Sequence, residues 1–135
     1  MLSRLDPSSS TPSTVAPFAI AREDLDARCS VIGVEGELDL ATAPNLKWSL
    51  IDALDAGRDS LVVDLSRTSF MDSTALGVLV GVNRGLGPDV RLSIVGGGEA
   101  VSKIFELAGM DGIFAIFPTL EQALAYVRER AAEVG

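Results

Sequence analysis

The stretch from Leu61 to Gly81 constrains this chain most. Leu61-Val62-Val63-Asp64-Leu65 is short, β-branched and almost continuously apolar, as an interior strand is. Ser66-Arg67-Thr68-Ser69 then reads as a polar turn. Beyond Phe70 and Met71 the chain is apolar, with glycines at every fourth position, Gly77, Gly81 and Gly85. That spacing suits a closely packed helix, from about Ser73 to Leu86, better than another strand. Asp72-Ser73-Thr74 therefore falls at a helix start, where a side-chain oxygen takes an otherwise unpaired amide hydrogen. Two roles are open for these residues. They are a cap and nothing more, or the Ser73 hydroxyl is an attachment point for phosphate, held by the helix dipole and free amides.

The rest of the chain supplies the frame. Residues 1–17 hold three of the six prolines and many serines and threonines. Such a segment cannot bury enough apolar surface to offset its ordering entropy, so a disordered tail is expected there. Phe18 to Arg22 and Cys29 to Leu38 alternate as strands joined by a polar turn, which predicts an antiparallel pair. Gly36 inside the second strand weakens it or marks a bulge. Thr42 is a natural N-cap, Pro44 fits the first turn, and Leu46, Leu50 and Leu54 form an apolar stripe. Gly57 closes that helix. Trp48 lies opposite the stripe and is expected to pack locally rather than stand exposed.

Arg91 to Val95 is another buried strand, and the helix after Gly96-Gly97-Gly98 carries Val101, Ile104, Phe105 and Ala108 on one face. Phe114 to Phe117 is a short strand. Thr119 and Gln122 form a capping box for a last helix with Leu120, Leu124 and Val127 as its stripe. The order is strand, strand, then three helix–strand units and a closing helix. Strict alternation implies crossovers and a mixed, mostly parallel sheet of about five strands with four helices, an α/β domain over residues 18–135. The length suits one domain with a full core.

Composition excludes several functions. Only 11 basic residues face 19 acidic ones, a net charge of −8, which disfavours binding to nucleic acid or to an anionic membrane. The chain has no histidine, the commonest general base and metal ligand. Its lone Cys29 opens a predicted strand and is read as a buried, inert thiol. No apolar run reaches the ~20 residues that span a bilayer, and no secretory signal is apparent, so a cytoplasmic protein is expected. The three glycines lack both the dinucleotide fingerprint, since Val101 stands where the third glycine would be, and a Walker lysine, so a structural turn is favoured. Glu35, Glu37 and Asp39 alternate along one strand, which favours a solvated face over a carboxylate or metal site. Asp39 stands apart, at a strand end just before a helix, where parallel sheets build their sites. Ser73 has neither a histidine nor a lysine three residues on, where Leu76 stands, so it is unsuited to be a catalytic nucleophile. No catalytic residue, metal or cofactor is expected.

The helix after Ser73 is apolar on nearly every face from Ala75 to Val82. One side must meet the sheet. The other is covered by a neighbouring helix or left open to a partner, which includes a second copy of the chain.

Together three stretches resemble one family. Val62-Val63-Asp64-Leu65-Ser66 with Phe70 to Gly81, Gly36-Glu37-Leu38-Asp39 with Thr42-Ala43-Pro44, and Val101 to Met110 are similar to the hallmarks of bacterial anti-sigma factor antagonists, the single-domain STAS proteins. The similarity covers about residues 18–130. The resemblance implies a STAS fold and partner switching. An unphosphorylated antagonist binds an anti-sigma factor that is also a serine kinase, and a sigma factor is released. The kinase then uses ATP to phosphorylate a serine at the start of the second helix, and a PP2C-type phosphatase resets it. The matching residue is Ser73, with Thr74 as the adjacent hydroxyl. Asp39, Thr42, Asp72, Thr74, Ala75, Leu76 and Gly77 match the partner surface. The chain departs from the family at Ala75, where glycine is usual. Alanine favours helix by up to ~1 kcal/mol, compatible with a helix start there. The alternative is a STAS interaction module of a lipid-transport or stress-signalling assembly in which Ser73 is only a cap.

Overall fold

The computed structural model describes residues 17–110 and 112–134. The expected tail, residues 1–17, lies outside them apart from Pro17. The elements are β1 (Ala19–Asp24), β2 (Cys29–Leu38), α1 (Ala43–Asp55), β3 (Ser60–Met71), α2 (Ser73–Arg84), β4 (Arg91–Val95), α3 (Glu99–Leu107), β5 (Ala115–Phe117) and α4 (Leu120–Val134).

Each new strand lies beside the previous one, so the sheet order β1-β2-β3-β4-β5 repeats the chain order. β1 and β2 are antiparallel, as their short turn requires, and the other neighbours are parallel. A right-handed crossover repeated in one direction leaves each connecting helix on the same side. Accordingly α1, α2 and α3 share one core. Leu46 and Leu50, Ala75 and Leu79, and Val101 and Phe105 pack against Ile32, Val34, Leu61, Val63 and Ile94. α4 lies on the opposite face, where Ala123 and Val127 cover Cys29, Val31, Val62 and Val95. Burial there pushes the Cys29 thiol up, so it stays protonated and unreactive.

Residues 66–69 are not a turn. β3 runs on through them to Met71, and its register against β2 slips twice. Gly33 pairs with Asp64 but Glu35 with Arg67; Gly36 pairs with Thr68 but Glu37 with Phe70. Each slip adds one residue to β3, a bulge that swaps which face the next side chain occupies. The buried positions therefore fall three apart, at Leu65, Thr68 and Met71, instead of alternating. Gly36 sits at the second slip with φ of +91°, left-handed backbone that glycine accepts without strain. Its expected bulge is present.

β4 pairs with β3 only from Ser60 to Asp64. Beyond Leu65, β3 is hydrogen-bonded to β2 alone, and past Glu35 and Arg67, where β1 also ends, the two strands project beyond the rest of the sheet. The β4–α3 turn braces the base of this projection. A methyl on Gly97 would stand 2.5 Å from the Leu65 carbonyl oxygen, so this glycine of the expected structural turn allows a close backbone approach.

Trp48 departs from expectation. It is 57% exposed, and the Lys47 ammonium lies 5.6 Å from its ring centroid. α1 buries one stripe against the sheet, and among the described residues no element covers the opposite side. In α4, Leu120 is 37% exposed, and Ala123 takes the buried place that the sequence assigned to it.

Candidate functional site

β2 and β3 are parallel neighbours, so their C-terminal ends open side by side. Leu38 pairs with Met71, and the Asp72 N–H donates to the Leu38 carbonyl at 3.1 Å. The two loops that follow, Asp39–Thr42 and Asp72, are thereby fixed next to each other, each leading into a helix N-terminus.

The first loop is closed by its own side chains. The Asp39 carboxylate accepts the Ala41 and Thr42 N–H groups at 3.0 and 3.2 Å, and its carbonyl accepts the Ala43 N–H at 2.7 Å. Thr42 was expected to cap α1. It occupies the cap position but makes no side-chain capping bond. Its hydroxyl instead donates backward to the Glu37 carbonyl at 2.9 Å and accepts the Asp39 N–H at 2.8 Å. The helix-like backbone at Thr42 turns the hydroxyl away from the first-turn amides, and it stitches the loop to the end of β2.

The second loop is shorter. Asp72 is extended, with φ of −105° and ψ of −179°, and its Oδ1 accepts the Ala75 N–H at 3.1 Å. Its carbonyl accepts the Leu76 N–H at 3.1 Å. This is an N-cap made by the aspartate alone. Ser73 and Thr74 follow in the first turn with exposed side chains.

Two of the residues expected on a partner surface are buried in the structure. Ala75 is fully buried and Leu76 is 6% exposed, both packed into the α1–α3 core. The Ala75 methyl points inward. Gly77 and Gly81 are exposed, and a methyl built on either meets nothing within 4 Å. They line an open apolar groove with Ile51, Leu54, Val78 and Val82 between α1 and α2. The neighbouring helix covers α2 only in part.

The alternating carboxylates form no shared site. Glu35 is bound to Arg67 at 2.7 Å, and Asp39 is engaged in its loop. No acidic or sulfur cluster suited to a metal occurs among the described residues. None of their helices is long and apolar enough to cross a membrane. Leu40, 72% exposed in the first loop, and Phe70, 44% exposed at the end of β3, flank the site and were not singled out from the sequence. Only their exposure distinguishes them, and exposure depends on the projection.

The STAS domain family model matches residues 22–123. An anti-sigma-F factor antagonist, RsfB, of Mycobacterium tuberculosis is 32% identical over 99 residues, 73% of this chain and 81% of that protein. Among solved structures, an anti-sigma factor antagonist from Mycobacterium paratuberculosis superposes with a TM-score of 0.77 at 34% identity, covering 83% of this chain and 95% of that one. Unphosphorylated SpoIIAA, also an anti-sigma factor antagonist, gives 0.70 at 25% identity over 82% of this chain and 97% of its own. The Bacillus SpoIIAA structure in its phosphorylated form gives 0.64. The resemblance carried by the three motifs and the five-stranded sheet with its helices thus agree: the chain belongs to the STAS domain family, and it is similar to anti-sigma factor antagonists of that family.

Proposed function

We propose that this protein is an anti-sigma factor antagonist whose partner binding is switched by phosphorylation of Ser73. One observation carries the reading. Asp72 alone caps α2, so the adjacent Ser73 hydroxyl is not needed for capping and stands exposed on the first turn. A cap-only role for Ser73 loses its purpose. That SpoIIAA has been solved in both unphosphorylated and phosphorylated forms supports phosphate transfer to a fold of this kind.

In the unphosphorylated state the surface formed by Asp39, Leu40, Thr74 and Gly77 docks an anti-sigma factor, and a sigma factor is released. That partner is also a serine kinase, and it transfers the γ-phosphoryl group of ATP to the Ser73 oxygen. The phosphate adds about −1.5 to −2 charge beside the Asp72 carboxylate. Within the free protein the first-turn amides and the helix dipole accommodate it. Inside an interface it would be desolvated among carboxylates, so the complex separates. A PP2C-type phosphatase resets the hydroxyl. The protein itself is a regulator rather than a catalyst: Ser73 has no histidine to activate it, since the sequence contains none.

The test is phosphate mapping after incubation with the cognate anti-sigma kinase and ATP. One phosphate on Ser73, abolished by Ser73→Ala, is expected. Phosphate on residues 1–17 instead of Ser73 overturns the assignment.

A further inference from the structure

Ser73 is delivered to the surface by the β2–β3 projection, and this projection is unusual in its support. Past Leu65 β3 pairs with β2 alone, and past Glu35 β2 has lost β1 as well; the ladder slips once just before this two-strand stretch and once within it. A bulged two-strand ribbon is a loose platform, because every extra residue interrupts the hydrogen-bond ladder and adds local twist. Something must hold the register if Asp72 is to meet Leu38.

Thr68 lies between the two slips. It is 3% exposed, pairs with the left-handed Gly36, and its Oγ1 donates to the Val34 carbonyl across the strands at 3.0 Å. Three residues on, Met71 regains register with Leu38, and the Asp72 N–H closes onto the Leu38 carbonyl. A hydroxyl buried at a bulge, bonded to the opposite strand's backbone, is a cross-brace at the point where the ladder is weakest.

We propose that Thr68 is a positioning residue, whose buried hydroxyl fixes the register of the β2–β3 projection and so the placement of the Asp72 cap and the Ser73 acceptor. Its importance for phosphorylation rests on the Ser73 reading above; its hold on the cap does not. Thr68→Val keeps the shape and removes the donor, leaving the buried Val34 carbonyl without that bond. Thr68→Ser keeps the donor and loses only a methyl.

The experiment compares wild type, Thr68→Val, Thr68→Ser and Val127→Ala, the last loosening the packing of α4 on the opposite face. Amide hydrogen exchange is followed at Asp72 and Ala75, well below every unfolding midpoint and without any partner. In Thr68→Val both amides exchange about 10-fold faster, the factor expected of one lost buried hydrogen bond, relative to amides of Leu61–Val63. Thr68→Ser restores wild-type exchange, and Val127→Ala leaves the ratio unchanged. Equal protection of Asp72 and Ala75 in wild type and Thr68→Val overturns the proposal. So does a ratio that rises as much in Val127→Ala, which would mean global loosening. With the cognate kinase and ATP, Thr68→Val should be phosphorylated about 10-fold more slowly than Val127→Ala. Wild type left unphosphorylated at Ser73 would overturn the functional reading alone, since the exchange result stands without it.

Discussion

The two ends of the sheet are built on different principles. At the base, where the parallel strands begin, charge is paired with charge. Arg28 forks onto Asp59, Arg58 reaches Asp24, and Arg128 of α4 reaches Asp26, at 2.6 to 3.0 Å. At the top, where β2 and β3 end, Asp39 and Asp72 take backbone amides, and neither joins an ion pair among the described residues. Surface ion pairs contribute little net stability, but they tie the β1–β2 turn, the α1–β3 loop and α4 into one assembly. The top is held by hydroxyls and amides. Added phosphate there would stand beside the Asp72 carboxylate, and the cation of the adjoining α1–α2 groove is Lys47, which lines it with Thr74. A modification at the top therefore adds charge beside carboxylates that lack ion-pair partners among the described residues, whereas the carboxylates at the base are already paired.

The contrast is open to attack by mutation. Leu50→Ala empties a fully buried site beneath both ends and should cost about 2–5 kcal/mol in denaturant unfolding without selecting either. Selective loosening of the α2 N-terminus by this variant would show that the two ends share no common core. Asp72→Ala removes the cap of α2 and should cost about 1 kcal/mol, with faster amide exchange confined to the first turn of α2. A change of similar size spread through α4 would erase the distinction.

The smallest effect belongs to the base. Asp24 is held below the usual carboxylate range chiefly by the Ser30 hydroxyl, with Arg22 and Arg58 adding, and Asp26 chiefly by the Arg28 amide. Because both are depressed in the folded state, their contribution is complete above the unfolded value of 3.8 and is lost as pH falls through the lower folded values. The unfolding midpoint of Asp26→Asn should therefore fall less steeply than that of wild type below about pH 4. Identical acid slopes would remove Asp26 from the account.

How far the sequence discloses this arrangement depends on how local each cause is. The alternation of elements, the Asp72 helix start and the role of Gly36 follow from neighbouring residues and are present in the structure. The β3 extension does not. Ser66-Arg67-Thr68-Ser69 is polar like a turn, and only pairing with β2 makes it a bulged strand with Thr68 inside. Thr42 has the right residue type for a cap, yet the Glu37 carbonyl competes for its hydroxyl. Ala75 and Leu76 were expected at a partner surface on the strength of the resemblance, but the helical repeat turns them into the core while leaving Ser73, Thr74 and Gly77 outside. Trp48 is legible as lying off the apolar stripe, but its exposure depends on what fails to fold over it.

Phosphate on Ser73 is proposed to separate this protein from an anti-sigma factor. Calorimetric titration of the cognate anti-sigma factor with unphosphorylated and Ser73-phosphorylated protein tests it most directly. A loss of ~2–3 kcal/mol, a ~30- to 150-fold weaker Kd, is predicted for the phosphorylated form. Equal affinity of the two forms would contradict the switch and favour a STAS module that binds its partner irrespective of Ser73.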